Sequence, residues 1–435
     1  MEKTKVAIIG LGTVGTGVAK LLLDHGDRTA RHAGRIPWLE KAVVCDLSKR
    51  RNVKIPVGVL TDKLDEVIHN PEITVVAQLI GGIEPARSIM LQLLEAGKDI
   101  ITANKARLAV HGPELFDKAR QLGRCIAFEA SVAGGIPIIT NIGQCLTANQ
   151  ITSLHGILNG TCNFIITQMQ DSGVTFRDAL KEAQRLGYAE VNPTLDVNGA
   201  DTAQKLSILS QLAFGVRGDW EDIPCQGIDD LDIADINYAD RLGYRIKLLA
   251  VAKLVNNEVE LSVSPTLIKK GSPLAEVQDA FNAIRAHGDA VGPVFYHGQG
   301  AGQMPTASAV VADIIDTVVG RSQITFNNLE LWSESNRPRS MADAGQSKNR
   351  YYLRMQVIDM PGVMAEITGI LGNNGVSIAS IASIIQHKAE NENSAATVPL
   401  VIMSHETTRN AVNKSVKQFM QSENIESKAV VLKVL

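Results

Sequence analysis

Gly10-Leu11-Gly12-Thr13-Val14-Gly15 stands directly after the apolar run Val6–Ile9 and directly before a helical pattern carrying Val18, Leu21 and Leu22. A GxGxxG in that strand–turn–helix setting leaves few folds open. Its glycines permit a tight turn and let the backbone approach a pyrophosphate. The helix that follows offers free N–H groups and a positive dipole end. A glycine-rich turn with no nucleotide is the competing reading, and the context disfavours it.

The next stretch has the same texture. Short apolar runs at Val43–Cys45, Val75–Leu79, Ile100–Thr102 and Ile126–Phe128 alternate with amphipathic stretches such as Ser88–Ala96 and Pro113–Leu122. Continuous apolar strands separated by helices predict a parallel sheet covered on both faces. A nucleotide domain over 1–140 follows. The apolar helix TASAVVADIIDTVVG packs back onto it, adding about 305–325.

From 141 to 304 the pattern changes. ITSLHGIL and VGPVFYHG predict strands, and TCNFIITQMQ predicts a helix. TFRDALKEAQRLG opens on a Thr175/Asp178 capping box and closes on Gly187. IKLLAVAKLV and VELSVSPTLI flank Asn256-Asn257, a hairpin turn. This predicts a mixed or antiparallel sheet with helices on one face. Residues 333–350 are polar and charged and predict a linker. Over 351–435 the order is βαββαβ, a ferredoxin-like domain. The expected class is α/β: a Rossmann-type parallel-sheet nucleotide domain, an α+β catalytic and dimerisation domain, and a C-terminal ferredoxin-like domain.

Composition excludes some roles. The 435 residues carry 43 basic and 46 acidic side chains, a net charge of -3, which offers no basic footprint for nucleic acid. No apolar run approaches the ~18 residues of a membrane span. Five scattered cysteines with no CxxC argue against a disulfide framework and for a reducing compartment, so a cytoplasmic location is expected.

Two further segments carry candidate chemistry. GYAEVNPTLDVNGADTAQK places Glu190, Asp196, Asp201 and Lys205 within sixteen residues. With a helix starting near Asn198, Asp201 and Lys205 share a face, the carboxylate at the positive end. A lysine beside carboxylates can act as general acid or base, but on spacing alone an exposed ion pair serves as well. Lys105 ends a predicted parallel strand at TANK, on the sheet edge where ligands bind; a plain surface lysine fits that position equally. Asp46, which favours NAD, is followed by Lys49, Arg50 and Arg51, which favour NADP. The choice leans to NADP, with a solvated loop as the other reading. Glu129 to Ile136, EASVAGGI, turns through small residues and can present carbonyl oxygens to a cation, although a plain turn accounts for it too.

In order, GLGTVG, TANK, EASVAGGIPII, GILNGTCNFI and the carboxylate–lysine block resemble the homoserine dehydrogenase family over about residues 5–325. The tail YYLRMQVIDMPGVMAEITGILGNNGVSI resembles an ACT domain. The resemblance implies NAD(P)-dependent interconversion of L-homoserine and L-aspartate 4-semialdehyde. Lys205 is then the acid/base, and Lys105 aids it or touches the cofactor. Asp201, Glu190 and Asp196 are substrate-binding positions, Glu190 near the amino group. Gly10 to Gly15 and Arg51 hold the cofactor, with Gly187 and Gly302 against its nicotinamide half. Glu129, Val132, Gly134 and Ile136 hold a sodium ion, mostly through backbone oxygens. Asp359–Gly362 and Asn373–Ser377 match loops for an amino-acid effector, threonine in the first instance, at a domain–domain interface. A homodimer or homotetramer is expected. Another Rossmann oxidoreductase acting on a different amino-acid aldehyde, or a non-catalytic nucleotide and amino-acid sensor, are the alternatives. The sensor has no need of Lys105, Glu190, Asp201 and Lys205 together.

Overall fold

The computed structural model describes residues 1–216, 218–329, 338–383 and 397–435. Six strands form the first sheet: β1 (Lys3–Ile9), β2 (Ile36–Val43), β3 (Leu60–Thr61), β4 (Ile73–Gln78), β5 (Asp99–Thr102) and β6 (Ile126–Ala127). Their order, β3-β2-β1-β4-β5-β6, is parallel throughout. Strand order reverses between β1 and β4, which opens a ligand crevice at their carboxyl ends. Val6, Ile8, Val76, Ile100 and Ile101 are wholly buried, as strands covered on both faces require.

Some expectations shift here. β2 begins at Ile36 rather than near Val43, and the helix Gly26–Ala33 precedes it. The helix read from Pro113 starts at Lys105 and runs to Gln121 with Pro113 inside it. Asn104 caps it: its side chain accepts from the Arg107 N–H at 3.1 Å. The helix Gln303–Val318 returns to the first domain, where Gln303 donates to the Thr13 carbonyl at 3.0 Å.

The second sheet has ten strands and crosses two domains. Its first part is antiparallel: β7 (Ile151–Ile157), β8 (Tyr244–Val255), β9 (Glu258–Lys269), β10 (Phe281–Gly288) and β11 (Gly292–Gln299). The β8–β9 hairpin turns at Asn256 and Asn257, both with positive φ (48° and 70°), as the asparagine pair predicted. The helices Gly160–Ser172, Phe176–Arg185, Ala200–Phe214 and Ile233–Arg241 belong to this part.

The C-terminal part contributes β12 (Lys348–Ile358), β13 (Ile378–Ser383), β14 (Thr397–Ser404), the short β15 (Thr407–Thr408) and β16 (Val430–Val434), with helices Val363–Asn373 and Arg409–Phe419. The βαββαβ order is therefore present, and Tyr351, Leu353, Ile367, Leu371, Ile402, Val412 and Phe419 form its core. β16 pairs in parallel with β9, Lys433 against Thr266 and Val434 against Leu267, so one sheet runs through both domains.

The segment expected as a linker, 333–350, lies outside the described residues up to 337. Beyond that it is pinned. Arg339 donates to the Gly215 carbonyl, Val259 donates to Ser340, and Ala342 donates to Val259. Its last residues from Lys348 already belong to β12. Among the described residues no helix is long and apolar enough to cross a membrane.

Candidate active site

The glycine turn distinguishes its three glycines. Gly10 has φ +97°. A Cβ on Gly15 would stand 1.9 Å from the Gly10 carbonyl oxygen, so backbone packing alone requires glycine there. A Cβ on Gly12 would meet nothing within 4 Å. The protein itself gives no reason for glycine at 12, and a ligand lying close to the backbone does. Helix Thr13–Asp24 starts there with no side-chain cap and no acidic residue in its first turn, leaving its N–H groups to an anion. The turn therefore fits a dinucleotide pyrophosphate.

After β2 the loop folds around Asp46. Its carboxylate accepts from the Ser48 N–H at 2.8 Å and the Ser48 hydroxyl at 2.6 Å, and these bonds hold it below the usual range. Arg51 donates to the Lys49 and Asp46 carbonyls at 2.8 and 2.6 Å. The guanidinium thus lies against the loop that follows β2.

At the carboxyl end of β5 the structure brings together residues from both domains. Lys105 reaches Oδ1 of Asp201 from the first residue of its helix. Lys205 Nζ lies 2.8 Å from Oδ2 of the same carboxylate and donates to the Leu158 carbonyl at 2.7 Å. Asn159 Nδ2 donates to Asp201 at 2.9 Å and to Asp196 at 2.7 Å. The helix Ala200–Phe214 accounts for the spacing: Asp201 sits in its first turn and Lys205 one turn on. Asn159 is itself fixed because its Oδ1 caps the helix Gly160–Ser172, accepting from the Cys162 N–H at 2.8 Å.

The cluster is not a surface ion pair, since Asp201 is 5% exposed and Lys205 9%. Burial raises the Asp201 carboxyl, but the Lys205 and Lys105 ammonium groups outweigh it and hold it well below the carboxylate range. Asp196 moves up instead, through burial first, with the Asn159 bond opposing and the Asp201 charge adding. Two neighbouring carboxylates are thereby pushed apart.

Glu190 is not brought into this cluster. It lies exposed on the loop after Gly187, and its carboxylate has no hydrogen bond or ion pair among the described residues. Gly187 (φ +79°) ends one helix and Gly302 (φ +118°) opens another, both exposed. Glu129 has a structural use that its sequence did not reveal: its carboxylate accepts from the Ile139 and Thr140 N–H groups at 2.9 and 2.8 Å. The small residues beside it also have one. A Cβ on Gly135 would come 2.6 Å from the Gln299 carbonyl, and one on Gly134 3.1 Å from Gly300.

Several contributors had no role assigned from sequence. Asn159 and the Leu158 carbonyl, inside GILNGTCNFI, are two. Asn282 is a third, donating to that same carbonyl at 3.0 Å. Arg107, wholly buried, donates to Gln78 at 2.8 Å and to the Gly82 carbonyl at 2.9 Å, ordering the loop after β4. A GxGxxG turn, a parallel sheet and a buried lysine–carboxylate pair facing its edge together describe a nucleotide-dependent site.

Residues 137–315 match the homoserine dehydrogenase family model, 10–129 its NAD-binding domain model, and 351–414 the ACT domain model. The homoserine dehydrogenase of Pseudomonas aeruginosa is 42% identical over 439 residues, covering 100% of this chain and 99% of the relative.

The chain belongs to the homoserine dehydrogenase family.

It is an NAD(P)-dependent oxidoreductase acting on the CH–OH group of homoserine, with an ACT domain at its C-terminal end. The homoserine dehydrogenase of Bacillus subtilis is 38% identical, covering 94% of this chain and 93% of that one. Among solved structures, a homoserine dehydrogenase from Thiobacillus denitrificans superposes with a TM-score of 0.90 at 39% identity, covering 100% of this chain and 99% of its own. A hyperthermophilic archaeal homoserine dehydrogenase in complex with NADPH gives 0.61 at 25% identity, covering 72% of this chain and 97% of its own.

Proposed function

We propose that the Lys105–Asp201–Lys205 cluster handles the proton when L-homoserine and L-aspartate 4-semialdehyde interconvert. The carrying observation is one buried carboxylate shared by two lysines from two domains. A bound nicotinamide supplies or accepts the hydride. Lys205 donates a proton to the aldehyde oxygen as negative charge develops there, and recovers it in the reverse direction. The Leu158 carbonyl and Asp201 fix the direction of its N–H bonds. Lys105 adds a second positive charge at the same oxygen or meets the cofactor. Asp201 and Asp196 bind and orient the amino acid, and Glu190, exposed and unpaired, takes its ammonium group when the substrate arrives.

NADP is the preferred form in this reading, because Asp46 is spent on Ser48 while Arg51, Lys49 and Arg50 gather beside it. Sodium suits the loop at Glu129, Val132, Gly134 and Ile136: all four are buried, and backbone oxygens are the hard, uncharged donors a monovalent cation takes. Threonine is the effector assigned to the ACT loops Asp359–Gly362 and Asn373–Ser377. A homodimer or homotetramer and a cytoplasmic location complete the reading, the latter supported by five free cysteines.

The test is Lys205→Ala. It lowers kcat for homoserine oxidation by roughly 10²–10⁴ and leaves cofactor affinity within about twofold in a fluorescence titration. Turnover near wild type refutes the assignment. Initial rates with each cofactor, with and without threonine, decide the remaining parts.

A further inference from the structure

A cavity of about 310 Å³ lies far from the glycine turn, between the middle sheet and the ACT domain. Its wall is the face of the shared sheet opposite the main core. His155, Val251, Ser262 and Lys433 line it, whereas their neighbours Leu154, Ala250, Ala252 and Leu432 belong to the core. It reaches the lower end of the ~300–1,000 Å³ range of small-molecule pockets.

Its charged groups are unevenly matched. Lys253, Arg409 and Lys433 line it against Glu260 alone; counting a terminal carboxylate on Leu435 still leaves it positive. Lys433 makes one hydrogen bond, to the neutral Ser262 hydroxyl at 2.8 Å, and no ion pair among the described residues. A half-buried ammonium with only a neutral partner is poorly compensated. Burial, then Arg409, push it down to about 8, with Glu260 opposing. Tyr351 is wholly buried and lines the cavity, and its hydroxyl lies beside Asn349 and Arg409 without a hydrogen bond of good geometry. Arg409 lies over its ring, 5.9 Å from the centroid. His155 Nδ1, also on the wall, is buried and unpartnered. Three cations, the His155 Nδ1 and the Tyr351 hydroxyl thus border one space, and Val251, Leu261 and Val434 supply apolar wall.

We propose that this cavity binds a small carboxylate-bearing metabolite, held by Lys433, Arg409 and the Tyr351 hydroxyl, at a site separate from both the active site and the ACT effector loops. A guanidinium, an ammonium and a phenol hydroxyl are the donors a carboxylate takes, and the apolar wall covers the remainder. Occupancy ties β16 and β12 of the ACT domain to β7, β8 and β9. β7 carries His155 on this wall and leads into Leu158, whose carbonyl holds Lys205.

Calorimetric titration of the full chain tests this with four probes: L-threonine, L-methionine, succinate and inorganic phosphate. At least one carboxylate binds saturably. Lys433→Met and Tyr351→Phe each weaken it by about tenfold, whereas Asp359→Ala in the ACT loop and Lys205→Ala leave it unchanged. Glu260→Gln separates the sources: it weakens an amino acid, whose ammonium needs an acceptor, and strengthens succinate. If Lys433→Met does not fold, Tyr351→Phe carries the test. The proposal falls if none of the carboxylates saturates, if phosphate alone does, or if binding survives the cavity variants or is lost in Asp359→Ala.

Discussion

Asp201→Asn removes the one negative charge that Lys105 and Lys205 share, with little change in shape. At the 2.8 Å separation of Lys205 from Asp201, a unit pair at an effective dielectric of about 20 is worth roughly 6 kcal/mol before desolvation. Measured losses on breaking buried pairs are nearer ~3–5 kcal/mol. The amide still bonds Asn159 or Lys205, so about 2–4 kcal/mol should reach the rate, which is roughly 30- to 1,000-fold in kcat/KM. Initial rates of homoserine oxidation, followed by nicotinamide absorbance, measure this; cofactor affinity should stay near wild type. Because the folded carboxyl is held below its ordinary value, its contribution to stability is complete above about pH 4. It is lost only as pH falls through the depressed folded value. The wild type should therefore show an acid-unfolding limb that Asp201→Asn lacks. A variant within threefold of wild-type kcat/KM and with an unchanged acid limb would refute the claim that this carboxylate organises the lysines.

Two other perturbations separate packing from ligand binding. Gly15→Ala collides with the Gly10 carbonyl and should lower Tm with no cofactor present. Gly12→Ala meets nothing, so it should keep the apo Tm yet weaken NADP binding by about tenfold or more; equal behaviour of the two contradicts the division. Asp235 is wholly buried in the middle domain, and Arg354 of β12 bonds it twice, at 2.6 and 2.8 Å, with the Tyr352 hydroxyl at 3.0 Å. Asp235→Ala should cost about 3–5 kcal/mol in urea unfolding, and an unchanged midpoint would contradict this anchor.

The elements that sequence revealed well are those whose burial is uniform or whose turn chemistry is specific. Val6–Ile9 with its glycines, the Asn256-Asn257 hairpin and the Thr175 cap all act within a few residues. β2 was read short because IPWLEKAV mixes exposed and buried positions, and Lys41 is kept by its pairing with Glu66 across 25 positions. The amphipathic stretch Pro113–Leu122 is only the second half of its helix, which begins at Lys105 and passes through Pro113. The active site was legible in part for a related reason. Asp201 and Lys205 are one helical turn apart, so their pairing is local. The Leu158 carbonyl belongs to the backbone, and Asn159 advertises only a helix cap. Glu190 fits the motif without joining the cluster, since nothing in its spacing tells a clustered carboxylate from an exposed one.

The two-residue pairing of β16 with β9 turns the chain's last strand into a seam rather than a tail. Cutting it away would leave the backbone of β9 at Thr266 and Leu267 without that partner. The C-terminal domain is thereby joined to the middle domain by backbone pairing as well as by side chains, and cutting between them breaks a sheet rather than a tether.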